Sequence, residues 1–211
     1  RQIGDVEIDD KISFVIKKTE EIMEDSEYQG VRLSLDAYLD KTRIPLKIDI
    51  STGDVITPCE ISFSYQLMFE NRTIPLLAYP PETVLAEKLE TILSRGEANT
   101  RLRDFYDVYI LQREDFVVTP DALCHALLAT CRKRGHEDLL HTYASILDGV
   151  RQSGAMRAQW MKYQTDFDYA AGITWDTVLD TVETLCMKTL DDHAFGDELP
   201  QEESQFEMHL L

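Results

Sequence analysis

The change of hydrophobic period at Tyr79-Pro80-Pro81 does most to limit what this chain can fold into. Before it, apolar residues alternate with polar ones; after it, they recur every three or four residues. Val31, Leu33 and Leu35 interleave with Arg32, Ser34 and Asp36, and Leu46, Ile48 and Ile50 with Lys47 and Asp49. That is the period of half-buried strands. Asp40-Lys41-Thr42 lies between the two runs as a hairpin turn and makes them antiparallel neighbours. Gly53-Asp54 closes the second run and Pro58 opens a loop, with further strands expected at about residues 11–18, 62–69 and 73–78.

Helices follow. Proline suits the first turn of a helix and Glu82 its positive end, so one is expected from Pro81 to Gly96 with Val84, Leu85, Leu89, Ile92 and Leu93 as its stripe. A second is expected over about 100–114, and a third starts at Thr119-Pro120-Asp121 with a threonine cap. Others are expected near 137–149, 153–164 and 174–190; Thr174 caps the last, and Trp175, Val178, Leu179, Val182 and Leu185 form its apolar face. Residues after Asp191 are acidic and polar around Phe195 and Phe206, a tail expected to be mobile. The fold class is α+β: a small sheet followed by a helical half.

Charge narrows the partners. A net charge of −18 over 211 residues excludes a generic nucleic-acid binder, which needs a basic surface. Positive charge is local, at Arg95, Arg101 and Arg103 and at Arg132-Lys133-Arg134, the latter read as a helix C-terminus with Gly135 as its cap. No apolar run approaches a membrane span, and no signal peptide is visible. Cys59, Cys124, Cys131 and Cys186 have no metal-ligand spacing and read as reduced thiols of a cytoplasmic protein. The five histidines make no set, and the glycine-rich phosphate loops and the nucleophile elbow have no match.

Two carboxylates, Asp104 and Asp107, stand in the otherwise apolar run Leu102–Leu111, and Lys88 interrupts the stripe of the preceding helix. Val84 and Ile92 lie one turn either side of Lys88, so it projects from the edge of that stripe. Asp104 and Asp107 share one face and need cationic partners, for which Lys88, Arg101 and Arg103 are candidates. Spacing alone leaves two readings open: a salt-bridge network between packed helices, or a lysine that holds a triphosphate beside working carboxylates. Asp49, on the polar face of its strand beside Lys47, is a third acid; it suits either magnesium, which takes oxygen ligands, or a solvated sheet face.

These residues resemble the AbiEii/AbiGii toxin family of nucleotidyltransferases. The likeness runs through Tyr28-Gln-Gly-Val-Arg32, Arg43-Ile-Pro-Leu-Lys-Ile-Asp-Ile50, Gly53–Pro58, Leu77-Ala-Tyr-Pro80, Glu82–Leu89 and Arg103-Asp-Phe-Tyr-Asp107, over about residues 5–115. It implies a DNA polymerase β-like nucleotidyltransferase sheet, N-terminally incomplete, over residues 1–79. A helical domain carrying the Lys/Asp motifs would then cover 80–190 and an acidic tail 191–211. It also implies nucleotide transfer from an NTP with magnesium to an acceptor such as tRNA or protein, by a toxin paired with a cognate antitoxin. By that analogy Asp49 follows the principal metal-binding pair and is itself a metal ligand. Lys88 contacts the NTP phosphates, Lys47 and Arg103 assist in substrate binding, and Asp104 with Asp107 completes the acidic motif.

One departure stands out. Such enzymes open with a glycine-rich turn and an Asp-x-Asp strand, and neither is found here; Asp5-Val-Glu-Ile-Asp9 alternates acids without the glycines. The chain begins at Arg1, and the expectation is a fragment without the principal metal ligands that transfers no nucleotide alone. The competing reading is a non-catalytic interaction module whose acidic surface binds a basic antitoxin or regulator. A metal-dependent nuclease fits the acids but leaves Lys88 unexplained.

Overall fold

Asp40 and Lys41 form a two-residue loop, and Asp40 takes the positive φ, +52°, that tight hairpin turns demand of a central residue. It joins β2 (Gly30–Leu39) to β3 (Thr42–Ile50) in the antiparallel register Leu39↔Thr42 through Val31↔Ile50. β1 (Ile12–Ile22) pairs with the other edge of β2, with a bulge at Lys17 between Ile16 and Lys18. A bulge re-aims side chains, and here the Lys17 ammonium stands 3.7 Å from the buried carboxylate of Asp36. Arg43 and the Tyr38 hydroxyl, which donates to it, complete the surroundings of Asp36. The computed structural model describes residues 11–22, 30–113 and 118–191, so Asp5, Asp9 and the acidic tail lie outside the described residues.

The chain divides into two compact units between Asp54 and Val55. In the first, the alternating pattern built the strands as expected but not a buried face. Ile44, Leu46, Ile48 and Ile50 of β3 are all exposed, and burial in β1–β3 is confined to Gly30 and Leu35–Ala37. A period of two records which residues share a face; whether that face is covered depends on a second layer.

The second unit opens with the hairpin of β4 (Ile61–Gln66) and β5 (Thr73–Ala78), whose loop is pinned by the Gln66 amide donating to the carbonyls of Leu67, Glu70 and Arg72. Six α-helices follow among the described residues: α1 (Pro81–Arg95), α2 (Leu102–Leu111), α3 (Pro120–Lys133), α4 (Leu139–Gln152), α5 (Gly154–Asp166) and α6 (Trp175–Leu190). Pro81 sits in the first turn of α1, and the hydroxyls of Thr119 and Thr174 accept the cap bonds of α3 and α6, satisfying backbone donors that a helix start leaves unpaired. The stripe Leu85, Leu89, Ile92 and Leu93 meets Phe105 and Val108 of α2, Leu123 and Leu127 of α3 and Val178, Leu179 and Val182 of α6 in one core. Among the described residues no helix is long and apolar enough to cross a membrane. The molecule is α+β, as the change of period at Pro80 demanded.

α3 ends as its sequence predicts, at Arg132-Lys133-Arg134 before Gly135 at φ +68°. His136 N–H donates to Cys131 O and Gly135 N–H to Arg132 O, the bonding of a Schellman turn. The end of α3 does more than offset a dipole. Arg134 and His136 both reach Glu90 of α1, which is only 2% exposed, so the turn brings an α3 cation and an imidazole onto a buried acid of α1.

Candidate functional site

α1 and α2 pack against each other across a short connection that holds a buried asparagine. Gly96, at φ +48°, ends α1 and a single 3-10 turn follows. Asn99 is fully buried, and its side-chain oxygen accepts the Arg101 N–H at 2.7 Å. That local bond takes the place of a helix cap and fixes where α2 starts. Asp104 and Asp107, one turn apart, are thereby aimed at α1.

Lys88 meets them there. Its ammonium donates to Asp107 Oδ2 at 2.6 Å and to Asp104 Oδ1 at 3.3 Å. The three side chains retain 20%, 23% and 16% of their exposure, so the cluster sits at the rim of the core and not within it. Arg103, largely exposed, approaches Asp107 from one turn earlier on α2 at 3.7 Å. Two cations therefore balance two carboxylates. One atom is left over: Asp104 Oδ2 is buried and has no hydrogen-bond partner among the described residues. Such a buried acceptor is costly unless something donates to it.

Asp49 and Lys47 belong to β3, in the first unit. Arg32, opposite Asp49 on β2, grips it with two parallel bonds of 2.6 and 2.7 Å. This guanidinium holds the Asp49 carboxyl below its usual range, and the charge of Lys47 acts in the same direction. Among the described residues no three histidine, cysteine, aspartate or glutamate side chains converge as a metal group would need. Asp49 is already engaged by Arg32, and Lys88 engages one oxygen each of Asp104 and Asp107.

The Lys88 cluster joins the helix carrying Ala86-Glu-Lys-Leu89 to the helix carrying Arg103-Asp-Phe-Tyr-Asp107. The family model described as nucleotidyl transferase AbiEii toxin, Type IV TA system, matches residues 1–181. The chain belongs to this family. Comparisons with curated proteins and with solved structures find no match. The AbiEii match extends well beyond residue 115, so it takes in α3, α4 and α5, whose sequences showed only helical type.

Two features of this AbiEii-family chain escaped sequence reasoning. One is Asn99, whose signal is an asparagine just before a helix start. The other is a group of rings beside the cluster. Tyr106, adjacent to Asp107, packs at 4.8 Å from Tyr169, whose hydroxyl pairs with that of Tyr163 at 2.9 Å. Burial pushes the Tyr163 hydroxyl above its ordinary range, with help from Tyr169 and from the negative charge of Asp107. Tyr106 is raised for the same first cause. Nothing in the local sequence links residues 106, 163 and 169; only the packing of α2 against α5 does.

Proposed function

We propose that the chain supplies the phosphate-holding part of a nucleotidyltransferase toxin's active site, built on a polymerase β-like sheet. The observation that carries this is Lys88 held 2.6 Å from Asp107 and 3.3 Å from Asp104, with each side chain about one-fifth exposed. An ammonium at that depth is fixed by its partners yet open to one more oxygen. Lysine acts here as a compact point charge with three donors, suited to a phosphate. Asp104 and Asp107 position it, and Arg103 stands on the solvent side as a second cation for the same anion.

The cluster carries no surplus positive charge of its own. Magnesium in this reading arrives bound to the NTP, since that ion keeps its waters and is held largely by substrate phosphates. Asp49, with Lys47, is the strand acid this proposal assigns to the metal side, once released from Arg32. The acceptor is tRNA, protein or another molecule, the partner is a cognate antitoxin, and the compartment is the cytoplasm. Because the sequence shows no glycine-rich turn followed by an Asp-x-Asp strand, we expect no transfer by this chain alone. Magnesium-dependent labelling of RNA or protein by it would overturn that part.

Calorimetric titration of the chain with inorganic triphosphate and with NTP, each with magnesium, tests the core of the proposal. The wild type binds both, and folded Lys88→Ala loses at least ten-fold in affinity for both. Equal affinity in a folded Lys88→Ala protein would refute the assignment. Unfolding of that variant, with Lys88→Arg folded and binding unchanged phosphate, would favour the purely structural network.

A further inference from the structure

Four rings gather at Tyr106, the α2 residue that precedes Asp107 of the Lys88 cluster. Tyr106 comes from α2, Tyr163 from the last turn of α5, and Phe167 and Tyr169 from the turn that follows α5. Phe167 and Tyr169 stack at 5.4 Å with 29° between their planes, and Tyr163 packs on Phe167 at 4.7 Å. Phe167 is 41% exposed and Tyr169 49%. The group is rigidly backed: buried Trp160 stacks on Tyr163 at 5.3 Å, and its indole N–H donates to Ile173 O at 2.8 Å.

Flat rings held open to water next to a phosphate-binding cation have a specific use. We propose that Tyr106, Tyr163, Phe167 and Tyr169 form a stacking platform for an unstacked nucleobase whose phosphate lies on the Lys88 side. Two observations join the platform to the cluster. Tyr106 lies three residues after Arg103 on α2, so these two share a face, and Arg103 in turn reaches Asp107 of the cluster. Tyr163, from another helix, packs its ring 6.4 Å from that of Tyr106. Arg103, which reaches Asp107, adds a cation three residues before Tyr106 on α2.

Charge argues for one base and not a duplex. A chain of net charge −18 repels an extended polyanion, so nucleic-acid contact has to be confined to a base or two and the adjoining phosphate. Stacking on aromatic side chains supplies that contact without a basic surface. The base has two sources, the incoming NTP or the single-stranded end of an RNA acceptor. Their recognition chemistry is the same.

This inference rests on reading Lys88 as a phosphate contact, and the test separates the two. Affinities of the full chain are measured for inorganic triphosphate, for each of the four NTPs and for a short single-stranded RNA, using wild type, Tyr169→Ala, Tyr169→Phe and Lys88→Ala. Tyr169→Ala is expected to weaken NTP or RNA binding by about ten-fold, the effect of losing one stacked base. Tyr169→Phe, which keeps the ring, stays within about two-fold, and triphosphate binding does not change in either. Loss in the NTP arm assigns the base to the nucleotide substrate; loss in the RNA arm assigns it to the acceptor. If Tyr169→Ala does not fold, Phe167→Ala replaces it with the same expectation. Unchanged NTP and RNA affinity in these alanine variants, or no binding of either by wild type, overturns the platform. Triphosphate binding that ignores Lys88→Ala, with RNA affinity still lost in Tyr169→Ala, overturns the phosphate reading and leaves the platform standing.

Discussion

Replacing Lys88 by methionine keeps most of the stem's packing and deletes the charge, leaving Asp104 and Asp107 facing each other one turn apart. The cost follows from how far the pair is withdrawn from water. Fully exposed pairs contribute about 0.2–1 kcal/mol, and breaking a fully buried pair costs about 3–5 kcal/mol. With side chains 20%, 16% and 23% exposed, this cluster lies between those limits, so we expect about 2 kcal/mol for Lys88→Met. For a unit of this size that corresponds to a fall in Tm of roughly 4–8 °C. Asp107→Asn loses a partner but also relieves repulsion, and should cost about 1 kcal/mol. The double variant removes the interaction once and not twice, so it should be about 1 kcal/mol more stable than the sum of the singles. Urea unfolding followed by far-UV circular dichroism and by tryptophan emission reads this cycle, because Trp160 and Trp175 lie in the same core as α1 and α2. Coupling below about 0.3 kcal/mol would refute the reasoning, since that is the additivity of unconnected sites. It would mean that the ammonium is solvated as an ordinary surface lysine is.

Other perturbations test the rest of the fold. Arg134→Ala strips the main cation from buried Glu90 and should destabilise by about 3 kcal/mol in chemical denaturation, near the low end for an uncompensated buried charge because His136 remains. Gly135→Ala forces a side chain to φ +68° in otherwise open space, so calorimetry should show a loss of about 1 kcal/mol from backbone alone. Burial pushes the Cys131 and Cys186 thiols from 9.0 up to about 12. A raised folded value means their contribution to stability is whole below 9.0 and lost as pH rises through about 12, so unfolding midpoints should fall over that window. Cys186→Ala should flatten part of the fall, and a midpoint that rises there would contradict the assignment. At pH 8 a thiol reagent should label exposed Cys59 and spare Cys124, Cys131 and Cys186 until the chain unfolds.

Much of the architecture was legible because it rests on local rules. The alternation around residues 31–50 and the Asp40-Lys41 turn specify an antiparallel pair whatever surrounds them, and Pro81, Thr119 and Thr174 mark helix starts by satisfying backbone groups within their own turn. Lys88, Asp104 and Asp107 were legible as charges that interrupt apolar stripes, and the family likeness was carried by the same motifs. Burial was not legible in the same way. Leu46, Ile48 and Ile50 have the pattern of a covered face and are exposed, because a covering layer is made by other parts of a molecule.

What the sequence by itself determined, then, is which residues share a face, where elements start and stop, and that two helices carry charges in need of partners. Tertiary structure decided who those partners are. Packing of α1 against α2, across the connection that holds buried Asn99, gives Lys88 both aspartates and Arg103 one of them. The return of α3 gives Glu90 its arginine, and the placement of α5 sets Tyr163 and Tyr169 beside Tyr106. The physical reason is range: hydrogen bonds within a turn and hydrophobic period act over a few residues and are written locally. An ion pair or a ring stack joins groups separated by tens of residues, and only the closing of the core brings them together.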